Sequence, residues 1–205
     1  MGKIICLMGK SSTGKDTIYK RLLEDQELHL KKLIPYTTRP IREGEQEGIE
    51  YHFVDEKHLQ KLEEEGRIVE LRAYDTVYGV WKYFTVREES MDLEKESYAV
   101  IGTLDSWNAM KGYFGEEHMI PVYVEVEDGE RLSRALARER QQAEPKYTEL
   151  CRRFLADTED FSEKHLKEAG ITEKFENQDL ETCLAQIKLF IQKRAGICYN
   201  ERNGC

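Results

Sequence analysis

The sequence predicts an α/β fold built on a parallel sheet, and three observations lead there. Short, continuous apolar runs at residues 4–8, 98–101 and 120–126 read as strands buried on both faces, and the helical or polar stretches between them suit crossover connections. The first run passes directly into Gly9-Lys10-Ser11-Ser12-Thr13-Gly14-Lys15-Asp16-Thr17 and then into a helical pattern over residues 18–23. A chain of 205 residues is long enough for one core with inserted segments.

The strand, glycine loop and helix at residues 4–23 form a phosphate cradle. A buried strand ends in a tight turn whose N–H groups face inward, the helix aims its positive end at the same point, and Lys15 reaches outer phosphates. Gly9, Ser11, Ser12, Thr13, Gly14, Lys15, Asp16 and Thr17 are therefore candidates to hold a nucleoside triphosphate; the plain alternative is a glycine-rich turn closing a βα unit. Asp16 stands where the usual signature carries a Ser or Thr hydroxyl for Mg²⁺. It is the candidate metal ligand, directly or through water, or simply an acid favoured in a first helical turn.

Residues 35–93 read as an inserted small subdomain, with strands at residues 51–54 and 68–74 and an exposed helix over residues 55–66 that ends at glycine. The basic run at residues 131–140 breaks at residues 141–145 and a second helix spans residues 147–161, so the pair reads as a mobile flap. Residues 180–194 form an amphipathic C-terminal helix, and residues 195–205 a frayed tail.

Composition narrows the partners. The formal charge of −9, from 31 Lys and Arg against 40 Asp and Glu, disfavours a general nucleic-acid surface, so an anionic substrate must be met by local arginine and lysine. The first apolar run is too short for a leader and none spans a bilayer. Cysteines at 6, 151, 183, 198 and 205 have neither metal spacing nor an even disulfide framework, so reduced thiols in a cytoplasmic protein, monomer or homodimer, are expected.

The most specific string is Tyr36-Thr37-Thr38-Arg39-Pro40-Ile41-Arg42-Glu43-Gly44-Glu45, followed by Tyr51-His52-Phe53-Val54. Arg39 and Arg42 flank a proline that stiffens the loop, and two guanidinium forks match a monophosphate; neutralisation by Glu43 and Glu45 is the plain alternative. With the phosphate loop, this string resembles the guanylate kinase family. The resemblance implies a P-loop three-layer core (residues 1–34, 94–126 and 162–205), an acceptor-binding subdomain (35–93) and a helical lid (127–161). It implies phosphoryl transfer from ATP, with Mg²⁺, to GMP. The acceptor site would be Tyr36, Arg39, Arg42, Glu45, Tyr51, Glu70, Tyr78 and Val80, with Glu70 accepting two N–H bonds from guanine or, in the plain reading, paired with Arg72. Lys15 and the lid arginines Arg134, Arg138 and Arg153 would be catalytic, with Arg140 a rival to Arg138. Ion pairs with Glu130, Glu139 and Glu149 are the alternative role for these arginines. Asn177 would sit beside the adenine of ATP, or Asn177 or Asp179 would cap the last helix.

The string departs from the family at base-reading positions: Tyr36 replaces a serine and Val80 a small hydroxyl residue. The family's two alternating aspartates meet Ile101-Gly102-Thr103-Leu104-Asp105, where neither aligns without a shift and Asp105 is a substitute only with a small loop adjustment. Two rivals follow: a kinase for another phosphorylated acceptor such as ribose 1,5-bisphosphate, and a non-catalytic guanylate-kinase-like binding module.

Overall fold

The computed structural model describes residues 1–42, 44–76 and 79–196. Strand β1 (Ile4–Met8) is buried throughout and leads through the glycine loop into α1 (Lys15–Leu23), whose inner face is Ile18, Tyr19 and Leu22. There follow β2 (Leu30–Lys32), β3 (Tyr36–Thr37), β4 (His52–Phe53) and α2 (Glu56–Glu64), the helix capped by the Asp55 carboxylate on the His58 N–H. A long hairpin, β5 (Ile68–Thr76) with β6 (Gly79–Val86), precedes β7 (Ser97–Ile101) and α3 (Leu104–Phe114). After β8 (Met119–Glu125) come α4 (Asp128–Arg140), α5 (Tyr147–Asp160), α6 (Glu163–Glu168), β9 (Lys174–Glu176) and α7 (Leu180–Ala195).

The larger sheet runs β2-β7-β1-β8-β9, with every pairing parallel. Side chains alternate across it: Ile4, Cys6 and Met8 face Trp107, Met110, Phe161 and Leu166, whereas Ile5 and Leu7 face Ile18, Leu22, Leu184 and Ile187. Helices on both faces complete three layers. Because β7 and β8 lie on opposite sides of β1, the order switches there, and the crevice beyond the carboxyl ends of β1 and β7 is where such a sheet offers a ligand site.

A second sheet, β4-β3-β6-β5, pairs β3 with β4 in parallel and the hairpin strands antiparallel. Leu59 and Leu62 of α2 cover one face, against Tyr36, Phe84 and Val86. The opposite face carries the cross-strand pairs Glu70–Thr85, Arg72–Tyr83 and Tyr74–Trp81.

Several elements differ from the sequence reading. The helix over residues 55–66 buries Leu59 and Leu62, so it is amphipathic rather than wholly exposed. The strand at residues 51–54 contracts to His52–Phe53, matching its two-residue partner β3. Strand β7 stops at Ile101 because Thr103 and Ser106 close a reciprocal capping box, so residues 104–105 belong to α3. Asp105 is thereby exposed on the first turn of α3 and does not stand in for an aspartate on the strand. Cys6 and Cys183 are buried and Cys151 is exposed on α5; most of the expected frayed tail lies outside the described residues. Among the described residues no helix is long and apolar enough to cross a membrane.

Candidate active site

Backbone geometry shapes the phosphate loop. Gly9 has φ of 152°, and a Cβ there would lie 2.4 Å from the Val124 carbonyl oxygen; at Gly14, with φ of 83°, it would lie 2.5 Å from Asn177 Nδ2. The Thr13 hydroxyl donates to the Lys10 carbonyl at 3.0 Å, and Asn177 Nδ2 donates to the Thr13 carbonyl at 2.8 Å. Asn177 is thus a buried strut under the loop, and Asp179 caps α7. Lys15 opens α1 and faces the crevice, whereas the Asp16 side chain is 78% exposed with its carboxylate 3.9 Å from the Lys15 amine. Thr17 is exposed on the same turn. Nothing about Asp16 resembles a preformed metal cage, and among the described residues no group of three or more His, Cys, Asp or Glu could hold a metal. Mg²⁺ bound mainly through substrate phosphates and water needs only one or two carboxylates, and Asp16, beside the phosphate-seeking Lys15, fits that demand.

The acceptor string divides. Arg39 is 3% exposed, with its Nη atoms 2.6 and 2.7 Å from the Glu45 carboxylate and its guanidinium over the rings of Tyr51 and Phe53 at 5.1 and 5.3 Å. Burial alone would lower the Arg39 pKa, yet Glu45 raises it overall. Glu45 also accepts the Arg42 N–H at 2.8 Å, so the Arg39–Glu45 pair shapes the turn that presents Arg42. Arg42 lines the crevice, with its guanidinium 5.9 Å from the Trp81 ring, and Tyr51 lines it too. Tyr36 does not: it is stacked on Phe84 at 5.4 Å on the α2 side, its hydroxyl donates to Glu88, and Pro35 lines the crevice instead. Val80, in alternation with Phe84 and Val86, belongs to the same side and is half-exposed. Tyr78 lies outside the described residues.

Helices α4 and α5 rest on the loop. Arg131 is 1% exposed; it pairs with Asp128 at 3.1 Å and Asp157 at 3.5 Å, and its guanidinium sits 3.9 Å above the Phe154 ring. Asp157 accepts the Ser11 N–H at 2.6 Å, so an α5 carboxylate occupies a loop donor suited to a phosphate oxygen. Arg134 donates to Glu130 at 2.8 Å and to the Asn177 carbonyl at 3.2 Å, and Arg138 donates to the Ser12 hydroxyl at 3.2 Å. Arg140 is exposed and does not border the loop. Arg152 and Arg153 both hold Glu149 at 2.8 Å and drive its carboxyl down to about 2. The expected pairings of Glu130 and Glu149 therefore do form.

A crevice of about 990 Å³ brings together Gly9, Ser11, Lys15, Arg42, Tyr51, Glu70 and Arg153. It excludes Tyr36, Val80, Arg39, Glu45, Asp16 and Asn177 from its lining. The reading missed Arg72, Thr85 and Asp157 as lining residues, and Arg131 as the buried clasp between α4 and α5. Arg72 and Thr85 had a visible signal, their alternation with Glu70 and Tyr83 along two strands, but it needed the register of a hairpin that was not read.

A model of the guanylate kinase family matches residues 1–194. A guanylate kinase from Porphyromonas gingivalis is 31% identical over 191 residues, 92% of this chain and 95% of that protein. One from Anaplasma phagocytophilum is 31% identical over 137 residues, 66% of this chain and 63% of that protein. The crystal structure of guanylate kinase from A. phagocytophilum superposes with a TM-score of 0.65 at 20% identity, covering 97% of this chain and 88% of that one, a likeness of fold.

Proposed function

The chain belongs to the guanylate kinase family and is a nucleoside monophosphate kinase, and on that premise we propose that it transfers the γ-phosphoryl group of ATP to the phosphate of GMP, giving ADP and GDP. The carrying observation is one crevice lined both by a triphosphate-type loop with Lys15 and by Arg42, Tyr51 and Glu70. In this reading residues 35–93 bind the acceptor, residues 127–161 are the lid, and the remaining core holds the donor.

No protein nucleophile is needed. A phosphate oxygen of the acceptor attacks the γ-phosphorus in line as the bond to the β-phosphate oxygen of the departing ADP breaks. Lys15 and the loop N–H groups hold the donor. Arg138 and Arg153, which border the loop, and Arg134, which touches the Asn177 carbonyl beneath it, supply positive charge as the lid shuts water out. To do so Arg153 exchanges Glu149 for phosphate, and Asp157 leaves the Ser11 N–H. Asp16 would be the protein ligand for a Mg²⁺ ion, which when bound would supply neutralisation of phosphate charge. Arg42 and Tyr51, which both line the crevice, hold the acceptor phosphate, while Arg39 acts through the loop it clamps.

The test is ADP release from ATP with a panel of nucleoside monophosphates and ribose 1,5-bisphosphate. Turnover with GMP supports the reading. Turnover with the sugar bisphosphate alone, which the cationic Arg72 beside Glu70 would favour, replaces it.

A further inference from the structure

The base-facing end of the acceptor crevice is an ion pair, and its hydrogen bonds are unevenly spent. Glu70 is 7% exposed. Its Oε1 accepts from the Thr85 hydroxyl at 2.9 Å and from Arg72 Nη2 at 3.3 Å, and its Oε2 accepts from Arg72 Nε at 2.9 Å. A carboxylate offers about four acceptor sites, two on each oxygen. Oε1 is therefore full and Oε2 has one site left. Guanine presents two parallel donors, N1–H and the 2-amino group, which need one free site on each oxygen. Glu70 can meet one of them while the pair stays intact. Asp105 is exposed on α3, and the described residues that line the crevice beyond β7, Gly102, Thr103, Ser106 and Met110, bring no carboxylate to the base from that side.

Arg72 is the more accessible partner, its side chain 22% exposed against 4% for Glu70. Besides the two bonds to Glu70 it donates from Nη1 to the Thr103 hydroxyl at 3.3 Å, which ties β5 to the start of α3 and fixes the guanidinium plane. Of its five N–H donors two remain, on the Nη edge, where the Tyr74 hydroxyl is the hydrogen-bond partner that an incoming base would displace. A guanidinium edge is matched by two adjacent acceptors, and guanine supplies them as O6 and N7; adenine places an amino donor where O6 would be.

We propose that Arg72 reads the acceptor base, so that the acceptor class is 6-oxopurine nucleoside monophosphates, with the 2-amino group of guanine unread. The inference rests on the nucleotide-acceptor reading above and narrows it. The wild-type enzyme needs no variant for the first test. With ATP saturating, kcat/KM for IMP is expected within about threefold of that for GMP, and AMP at least about 10³-fold below both. An IMP value more than about 10²-fold below GMP shows that the 2-amino group is read and overturns the proposal. Arg72→Ala is expected to raise KM for GMP and IMP by about 30-fold while KM for ATP stays within about twofold, and Arg72→Lys, which lacks the fork, is expected not to restore it. An unchanged or lowered KM for GMP in a folded Arg72→Ala enzyme also overturns it, since Glu70 would then read the base alone. GMP turnover with IMP rejected defeats this inference and leaves the proposed function standing. A wild-type enzyme that turns over neither, yet phosphorylates the sugar bisphosphate, defeats both.

Discussion

Lys15 and Arg39 are both conspicuous cations, and their surroundings assign them different work. Lys15 faces the crevice, so Lys15→Ala should cut kcat by about 10³-fold with little change in melting temperature, measured by coupled ADP release and thermal unfolding. Arg39 is a buried partner of Glu45, and removing it strands a carboxylate in a half-closed turn. Arg39→Ala should therefore cost about 3 kcal/mol and lower the melting temperature by about 6–12 °C, and KM for the acceptor should rise because the turn presenting Arg42 relaxes. A sequence shows that Arg39 sits on a stiff basic loop; it does not show which of Arg39 and Arg42 turns inward. Pairing with Glu45 and packing on Tyr51 and Phe53 settle that, and both need the folded turn.

At the scale of elements, legibility followed periodicity. Strand β1, the glycine loop, α4 and α7 were readable because apolar runs, glycines and helical spacing are local signals. Strand β6 was not, since Lys82 and Thr85 interrupt its apolar pattern and one face lines an open crevice. Helix α3 was obscured by an expected aspartate pattern although Thr103 and Ser106 spell its cap. The docking of α5 on the phosphate loop was invisible because it joins Ser11 to Asp157 across most of the chain. On the proposed function that contact would have a measurable effect, because Asp157 would compete with a donor phosphate for the Ser11 N–H. Asp157→Asn keeps the shape but weakens the acceptor by about 1 kcal/mol, so ATP should bind about fivefold more tightly in calorimetry. Weaker binding would mean that Asp157 serves chiefly to orient Arg131.

For the whole molecule, α5 and the Arg39–Glu45 turn both carry carboxylates whose pKa values are held down. Glu149 falls from 4.5 to about 2, chiefly through Arg152 and then Arg153, and Glu45 is lowered chiefly by Arg39. Groups of this kind lend stability that is complete above their unfolded pKa and lost as pH falls towards the folded one. Asp160, raised by burial and by nearby Asp157 and Asp105, acts in the opposite sense, its cost easing on protonation. Melting temperature should thus be nearly level from about pH 8 to 5.5 and fall from about pH 4.5 downwards, traced by calorimetric scans. The thiols lead elsewhere. Burial drives the Cys6 thiol up to about 12 and Cys183 to about 11, while Cys151 stands exposed on α5, six residues before Asp157. With Cys198 and Cys205 replaced, a maleimide dye would attach at Cys151 and turn any movement of α5 into an optical signal, resolved by stopped flow within a single turnover.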